Sequence, residues 1–156
     1  MNTGFPPIID EKTEILILGS FPSIASLEKQ QYYGHRQNHF WKILGSILNE
    51  PLYNLSYAQR IPLILKNKIG IWDVYQQCVR EGSLDVNIRR GKLNDFTLLK
   101  KQCPHLKKII FNGTTAGKFM KHVPIDVPKH IAPSTSPANT MRFEEKVERW
   151  RGILDQ

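Results

Sequence analysis

Cysteine is scarce in this 156-residue chain: Cys78 and Cys103 are the only two, and they form no CxxC pair. That excludes a disulfide scaffold and fits a reducing, intracellular (cytoplasmic, nucleoid-associated) setting. No long apolar run is present, so no membrane span is expected, and "MNTGFPPIID" lacks the charged-then-apolar order of a signal peptide. Phosphate-cradling motifs are missing too. "GSFPS" (19–23) has one glycine and a proline rather than GxGxxG, and neither GxxxxGKS nor GxxxxGKT occurs, so dinucleotide or triphosphate binding is unsupported. There is no GxSxG elbow for a serine hydrolase. Of the five histidines, His35 and His39 are spaced i,i+4, but no third ligand stands near them, and no metal is expected.

Negative charge is the other shortage. Against 22 Lys and Arg stand 14 Asp and Glu, a formal net charge of +8. The excess favours a polyanionic partner, with nucleic acid ahead of a membrane surface because no amphipathic basic tail appears. The length predicts one domain, 1–156, with a core large enough to fold without metal or disulfides, and a monomer.

Apolar runs alternate with helical patterns along the chain. "EILILG" (14–19), "KIGIWDV" (68–74) and "KKIIFNG" (107–113) read as buried parallel strands, with "DVPKHIAP" (126–133) as a fourth. Helical periodicity covers 38–49, 57–66, 95–102, 114–121 and 142–154, the last with Val147, Trp150, Ile153 and Leu154 on one side and charges on the other. The stretch 78–95 reads as the longest irregular connection. Strand–helix alternation predicts an α/β sandwich on a parallel sheet.

Ligands of such sheets sit beyond the carboxyl ends of the strands. Three segments converge there: "GSFPS", "NGTTA" (112–116) and "PSTSPANT" (133–140). Singly, each reads as a turn, with Thr114 and Ser136 as caps. Together they lie beside "YYGHRQNHFW" (32–41), whose aromatics, histidines, arginine and asparagine exceed what a connection needs. That make-up suits a surface gripping something flat and charged.

In order, "LILGSFPS", "QYYGHRQNHFWKIL", "GIWDVYQQCVREGSLDVNI", "NDF", "IIFNGTTAGKFM" and "PSTSPAN" resemble the hypoxanthine-DNA (deoxyinosine) glycosylases, a branch of the uracil-DNA glycosylase superfamily. The resemblance runs from about residue 14 to the C-terminus. It implies a three-layer α/β/α sandwich on a four-stranded parallel sheet, damaged DNA as partner, and cofactor-free hydrolysis of the N-glycosidic bond of a deaminated base. Such chemistry requires flipping the nucleotide, stacking its base, reading its edge, and bringing water to C1′.

By this resemblance Tyr33 stands where the superfamily places an aromatic against the flipped base. Phe21 occupies the position where some members carry a water-activating Asn or Asp. The burden then falls on Asn38, whose amide can hold a water but is a weak base, which suits a dissociative transition state. Helix capping is the other role open to Asn38. Asn112 is the candidate for reading the base, and the backbone around Ser20 and Ser23 for touching base or phosphate. In the last motif, Ser134 and Ser136 are candidate phosphate contacts and Pro137 a stiffener, while Asn139 or Met141 would fill the vacated stack. His35 belongs to the basic rim, with Arg36, which replaces an expected proline and is a candidate phosphate contact. Asp73 and Asp85 stand in reserve as general bases. No motif lysine is placed for a Schiff base, so no lyase step is expected. A glycosylase preferring uracil or xanthine, and a non-catalytic binder of damaged bases or single strands, are the alternatives.

Overall fold

The computed structural model describes residues 1–156. Seven strands form: β1 (Asn2–Thr3), β2 (Ile15–Gly19), β3 (Ile69–Asp73), β4 (Tyr75–Val79), β5 (Arg89–Leu93), β6 (Lys108–Asn112) and β7 (Lys129–Ala132). The helices are α1 (Ile24–Lys29), α2 (Phe40–Leu48), α3 (Tyr57–Lys66), α4 (Leu98–Gln102), α5 (Thr114–Gly117) and α6 (Phe143–Leu154). The central sheet is parallel, in the order β3-β2-β6-β7. Its four strands fall inside the four apolar runs.

The three layers follow from which way alternate residues point. Ile17, Ile69, Ile71 and Ile110 face one side, where Phe40, Trp41 and Leu44 of α2, Ile64 of α3 and Trp150 of α6 close over them. Leu16, Leu18, Trp72, Ile109 and Phe111 face the other side, against Leu99 of α4, Ala116 of α5 and Val123. Both faces are covered, which is why these strands read as continuous apolar runs. Each such side chain stabilises the fold by roughly 1.5–3 kcal/mol. No helix is long and apolar enough to cross a membrane, and both cysteines are buried free thiols.

Three expectations are corrected. Segment 78–95 is not an irregular connection: β4 and β5 pair antiparallel, and β1 pairs with β4 to complete a second, three-stranded sheet. β1 and β5 lie largely in solvent and β4 is mostly half-buried, so they carry no apolar alternation to betray them. Gly91 is required there, because a Cβ would stand 2.2 Å from the Tyr75 ring. The second correction concerns α6, where Lys146 is fully buried on the core side rather than in the solvated stripe. Thr114 is also no cap; Gly113 precedes α5, with φ 96° and no side-chain bond to the helix.

Another buried lysine holds the last helix. Lys108 Nζ, rooted in β6, donates to the carbonyls of Ile153 (2.7 Å) and Leu154 (3.3 Å) and to the terminal Gln156 oxygen (2.6 Å). A cation against free helix-end carbonyls is favourable. Lys108→Met should lower unfolding free energy by about 1.5–3 kcal/mol, the worth of a hydrogen bond to a charged group. The check is a lower urea midpoint at unchanged slope.

Candidate active site

Strand register places Gly19 opposite Asp73 and Asn112 opposite Ala132, so four strand ends form one row at the carboxyl edge of the sheet. Above that row opens a cleft of about 600 Å³. The loops after β2, β6 and β7 all reach it, as expected of a parallel sheet. Of the candidate residues, Ser20, Phe21, Ser23, Tyr33, Asn38, Asn112, Ser134, Ser136, Asn139 and Met141 line the cleft, and so do Asp73 and Asp85. His35 and Arg36 lie outside it, in a smaller neighbouring hollow, and Pro137 is exposed beyond the lining.

Tyr33 is held under strain. Its φ is 53°, a left-handed conformation uncommon for a bulky residue. The flanking backbone is pinned on every side: Tyr32 N–H donates to the Tyr57 hydroxyl (3.1 Å), and Trp41 Nε1 donates to Tyr32 O (3.0 Å). Gly34 N–H donates to Ser26 Oγ (2.9 Å), and Lys29 Nζ donates to Gly34 O (2.8 Å). Such over-determination is how strained residues persist at functional sites. One face of the Tyr33 ring is stacked on Phe40, with centroids 3.9 Å apart. Only the other face is left for a ligand.

The Tyr33 hydroxyl reaches the floor of the cleft, where it is buried without a hydrogen-bond partner. Burial raises its pKa, Asp73 raises it further, and the nearby Asn112 amide opposes the rise without reaching hydrogen-bond geometry. Gly19 makes this crowding feasible. A Cβ there would stand 2.6 Å from Asp73 Oδ1 and 2.8 Å from the Tyr33 hydroxyl.

Asn38 precedes α2 and accepts a hydrogen bond from Phe40 N–H at Oδ1 (2.9 Å). The N-cap of α2 is His39, which makes no side-chain cap bond, so Asn38 is not the cap; its side chain forms a turn just before the helix. That turn aims the amide, because an amide oxygen accepts twice and only one of those positions is used. Phe21 is buried beneath the Arg80 guanidinium, 5.3 Å from its ring, and presents little free surface.

Asn112 is pinned at both ends by one residue. Its Nδ2 donates to Thr135 Oγ1, and its Oδ1 accepts from Thr135 N–H, each at 3.0 Å. One N–H and one lone pair remain free for a base edge. Thr135 O in turn accepts from His39 N–H (3.0 Å), which ties the loop to the head of α2. Ser134 accepts from Ser136 N–H and Ser136 from Ala138 N–H, at 3.2 and 3.1 Å. Asn139 donates to Ser134 O (2.9 Å). These side chains brace the loop, and Ser23 likewise caps α1 through Ser26 N–H (3.1 Å). Beneath the loop, Lys146 Nζ sits 3.4 Å from Ser136 O and 3.2 Å from His39 Nδ1. Burial lowers the pKa of Lys146, and burial with Lys146 and Lys42 lowers that of His39.

Asp73 is 4 % exposed, and its Oδ2 has no partner. Burial, with a smaller contribution from Asp85, lifts its pKa to about 7, while Arg80 pulls the other way. Asp85 is also raised by burial, opposed by the Ser20 hydroxyl that donates to it (2.7 Å) and by Arg80 at 3.9 Å. Neither carboxylate caps a helix. Thr135, Arg80, Lys146 and the cleft-lining Arg149 were not singled out by sequence. Their places depend on long-range packing, although Thr135 lies inside a motif that was recognised.

The family model described as the uracil DNA glycosylase superfamily matches residues 6–154. A protein named hypoxanthine DNA glycosylase from Methanosarcina barkeri (strain Fusaro / DSM 804) is 43% identical over 148 residues, covering 94% of each chain. Another of that name, from Methanosarcina acetivorans, is 40% identical over 155 residues, covering 99% of this chain and 98% of the relative. A solution NMR structure from Methanosarcina acetivorans, described as a candidate uracil DNA glycosylase, superposes with a TM-score of 0.85 at 39% identity. It covers 97% of this chain and 98% of that one.

The buried Asp73 gives a pH test. Its folded pKa lies above the ordinary 3.8, so the folded state holds a proton that the unfolded chain releases in the window between. Stability from this group is full below that window and is lost as pH rises through about 7. Asp73→Asn keeps the neutral form at all pH. Thermal melts of the two proteins should differ increasingly in favour of the variant from pH 4 to pH 8, then by a constant amount.

Proposed function

The chain belongs to the uracil DNA glycosylase superfamily, and from this we infer that it is a monofunctional DNA glycosylase of base-excision repair. It hydrolyses the N-glycosidic bond of deaminated bases, hypoxanthine in deoxyinosine first among them. The observation that carries the inference is the convergence, in one cleft, of Tyr33, Asn38 and Asn112, each held by backbone or side-chain bonds. The names of the two relatives supply the lesion.

The flipped nucleotide enters with its base against the free face of Tyr33. Asn112 offers its remaining N–H and lone pair to the base edge. Hypoxanthine presents a carbonyl and a ring N–H where adenine presents an amino group and a bare nitrogen. A mismatched edge leaves buried groups unsatisfied at about 1–3 kcal/mol each. Asp73, with a pKa of about 7, can donate or accept near neutral pH and adds a second reader on the same floor. The Ser20 hydroxyl is spent on Asp85, which leaves its backbone for contact with the base.

Bond breaking leaves the electron pair on the base and oxocarbenium character at C1′. Asn38 Oδ1 holds the attacking water by its second lone pair, which favours the geometry of attack and requires no strong base. No lysine lines the cleft, so a Schiff base to C1′ has no amine to form it. Ser134, Ser136, the half-buried His35 and the exposed Arg36 follow the flanking phosphates, Pro137 stiffens the loop, and Met141 or Asn139 fills the vacated stack. The protein acts as a monomer.

Labelled duplexes carrying hypoxanthine, uracil, xanthine or ethenoadenine, treated with the protein and then alkali, test the inference. Release of free hypoxanthine in EDTA is expected; tight binding without an abasic site would make the protein a binder rather than an enzyme. Residue roles separate with two variants. Asn38→Ala should lower the single-turnover rate by about 10²–10³, the usual cost of one transition-state polar contact. It should also lose ~1 kcal/mol of stability with the turn at Phe40. Asn38→Ser keeps an oxygen for that turn, so it should recover the melting temperature but not the rate. Recovery of both would reduce Asn38 to a turn former.

A further inference from the structure

The hairpin between β4 and β5 has a tip, residues 80–88, whose apolar side chains no part of the chemistry above uses. Four of its residues, Ser83, Leu84, Asp85 and Val86, nevertheless line the mouth of the cleft. Leu84 and Val86 are 52% and 77% exposed, two of the few large apolar side chains left in solvent. Ile24 (47%) and the cleft-lining Ile131 (45%) are exposed as well, and Ile24 N–H is bonded to Ser83 Oγ (3.0 Å).

The tip is braced rather than loose. Arg80 is buried, its Nε donating to Gly82 O (3.0 Å) and its NH2 to Pro22 O. Its guanidinium also covers Phe21 and pairs with Asp85. Ser20 holds Asp85 from the loop after β2, and Asn87 and Ile88 close a turn onto Leu84 O and Asp85 O. Arg89 folds back onto the carbonyls of Val86 and Ile88, both at 3.0 Å. A brace of this kind stops the apolar pair from collapsing onto the protein, where it would otherwise gain by burial.

Position and charge then name the occupant. β3 and β7 are the two edges of the central sheet, so the hairpin rises from one flank of the cleft and the 133–140 loop from the other. Beyond Leu84 and Val86, β5 carries the exposed Arg89, Arg90 and Lys92, with Glu81 as the one acid of the tip that does not point into the cleft. Apolar side chains at the end of a basic arm fit a stacked polyanion: they enter between bases while the cations meet phosphate.

We propose that this tip is a second wedge, in which Leu84 and Val86 enter the duplex stack beside the flipped nucleotide while Arg90 and Lys92 hold the adjoining phosphates. The wedge rests on the glycosylase reading and adds to it a preference for duplex substrate. Unstacking is a barrier only where a stack exists, so a single strand needs no wedge.

The experiment uses the full chain and the double variant Leu84→Ser/Val86→Ser. Single-turnover excision is measured on a deoxyinosine duplex and on the same lesion in a single strand. A duplex carrying 2-aminopurine beside the lesion reports unstacking by its fluorescence. Duplex excision should fall by about tenfold or more while the single strand changes by less than about twofold, with an unchanged melting temperature. The fluorescence rise given by the wild type should be lost. Equal losses on both substrates, or an unaltered duplex rate, would overturn the wedge while leaving the glycosylase intact. Should the wild type release no base, the glycosylase reading fails, and the fluorescence of the two proteins on duplex DNA still decides the wedge.

Discussion

Thr135 is the residue on which the geometry of the site depends. Its N–H and hydroxyl take both ends of the Asn112 amide, and its carbonyl receives the His39 N–H at the head of α2. Three segments distant in sequence are joined by one buried side chain and its own backbone. Without that clasp, Asn112 would rotate, the 133–140 loop would lose its seat on β6, and the turn holding Asn38 would lose its tie to the loop. Net hydrogen-bond energies are only about 1 kcal/mol each, so the importance of the clasp is geometric. On the proposed roles of Asn112 and Asn38, the site would tolerate little displacement.

Around that clasp the protein carries polar groups that its own fold does not satisfy. The Tyr33 hydroxyl and Asp73 Oδ2 are buried and unpartnered, and Tyr33 sits at positive φ. Each is a stability cost of order 1–3 kcal/mol. A fold whose surplus is typically about 5–15 kcal/mol keeps such costs where a ligand can offset them. Trp72 Nε1 and Arg80 NH1 are unpartnered as well, away from the cleft lining, but the Tyr33 and Asp73 atoms lie together on the cleft floor. They also explain why Gly19 closes β2, since any side chain there would collide with both groups.

Charge is distributed with similar economy. The excess of Lys and Arg is mostly at the surface, but three cations are buried, each held in part by backbone carbonyls, and only Arg80 also has a carboxylate nearby, Asp85 at 3.9 Å. Lys108 closes the end of α6, Lys146 supports Ser136 and His39, and Arg80 braces the hairpin tip against the loop after β2. The cationic surface and the cationic scaffold are thus different sets of residues. Long-range attraction to a polyanion belongs to the first, and the shape of the cleft to the second.

The central sheet was legible because it is buried on both faces, and burial writes itself into sequence as uninterrupted Ile, Leu and Phe. The cleft was legible for a related reason: parallel strands end on one side, so "GSFPS", "NGTTA" and "PSTSPANT" had to meet there. Asn38, Tyr33 and Asn112 could be picked out from residue type and resemblance. What sequence could not express was anything carried by solvated strands or single long-range contacts. β5 lacks apolar alternation because both of its faces are wet, β4 has only one fully buried residue, and Lys146 reads as one more charge on a charged helix. Only the tertiary structure decided that Arg80 would be buried, that Thr135 would bind Asn112, and that Asp73 would lose its solvent. Local chain preferences determine where strands and helices form, but desolvation and hydrogen-bond partnership belong to the packed whole.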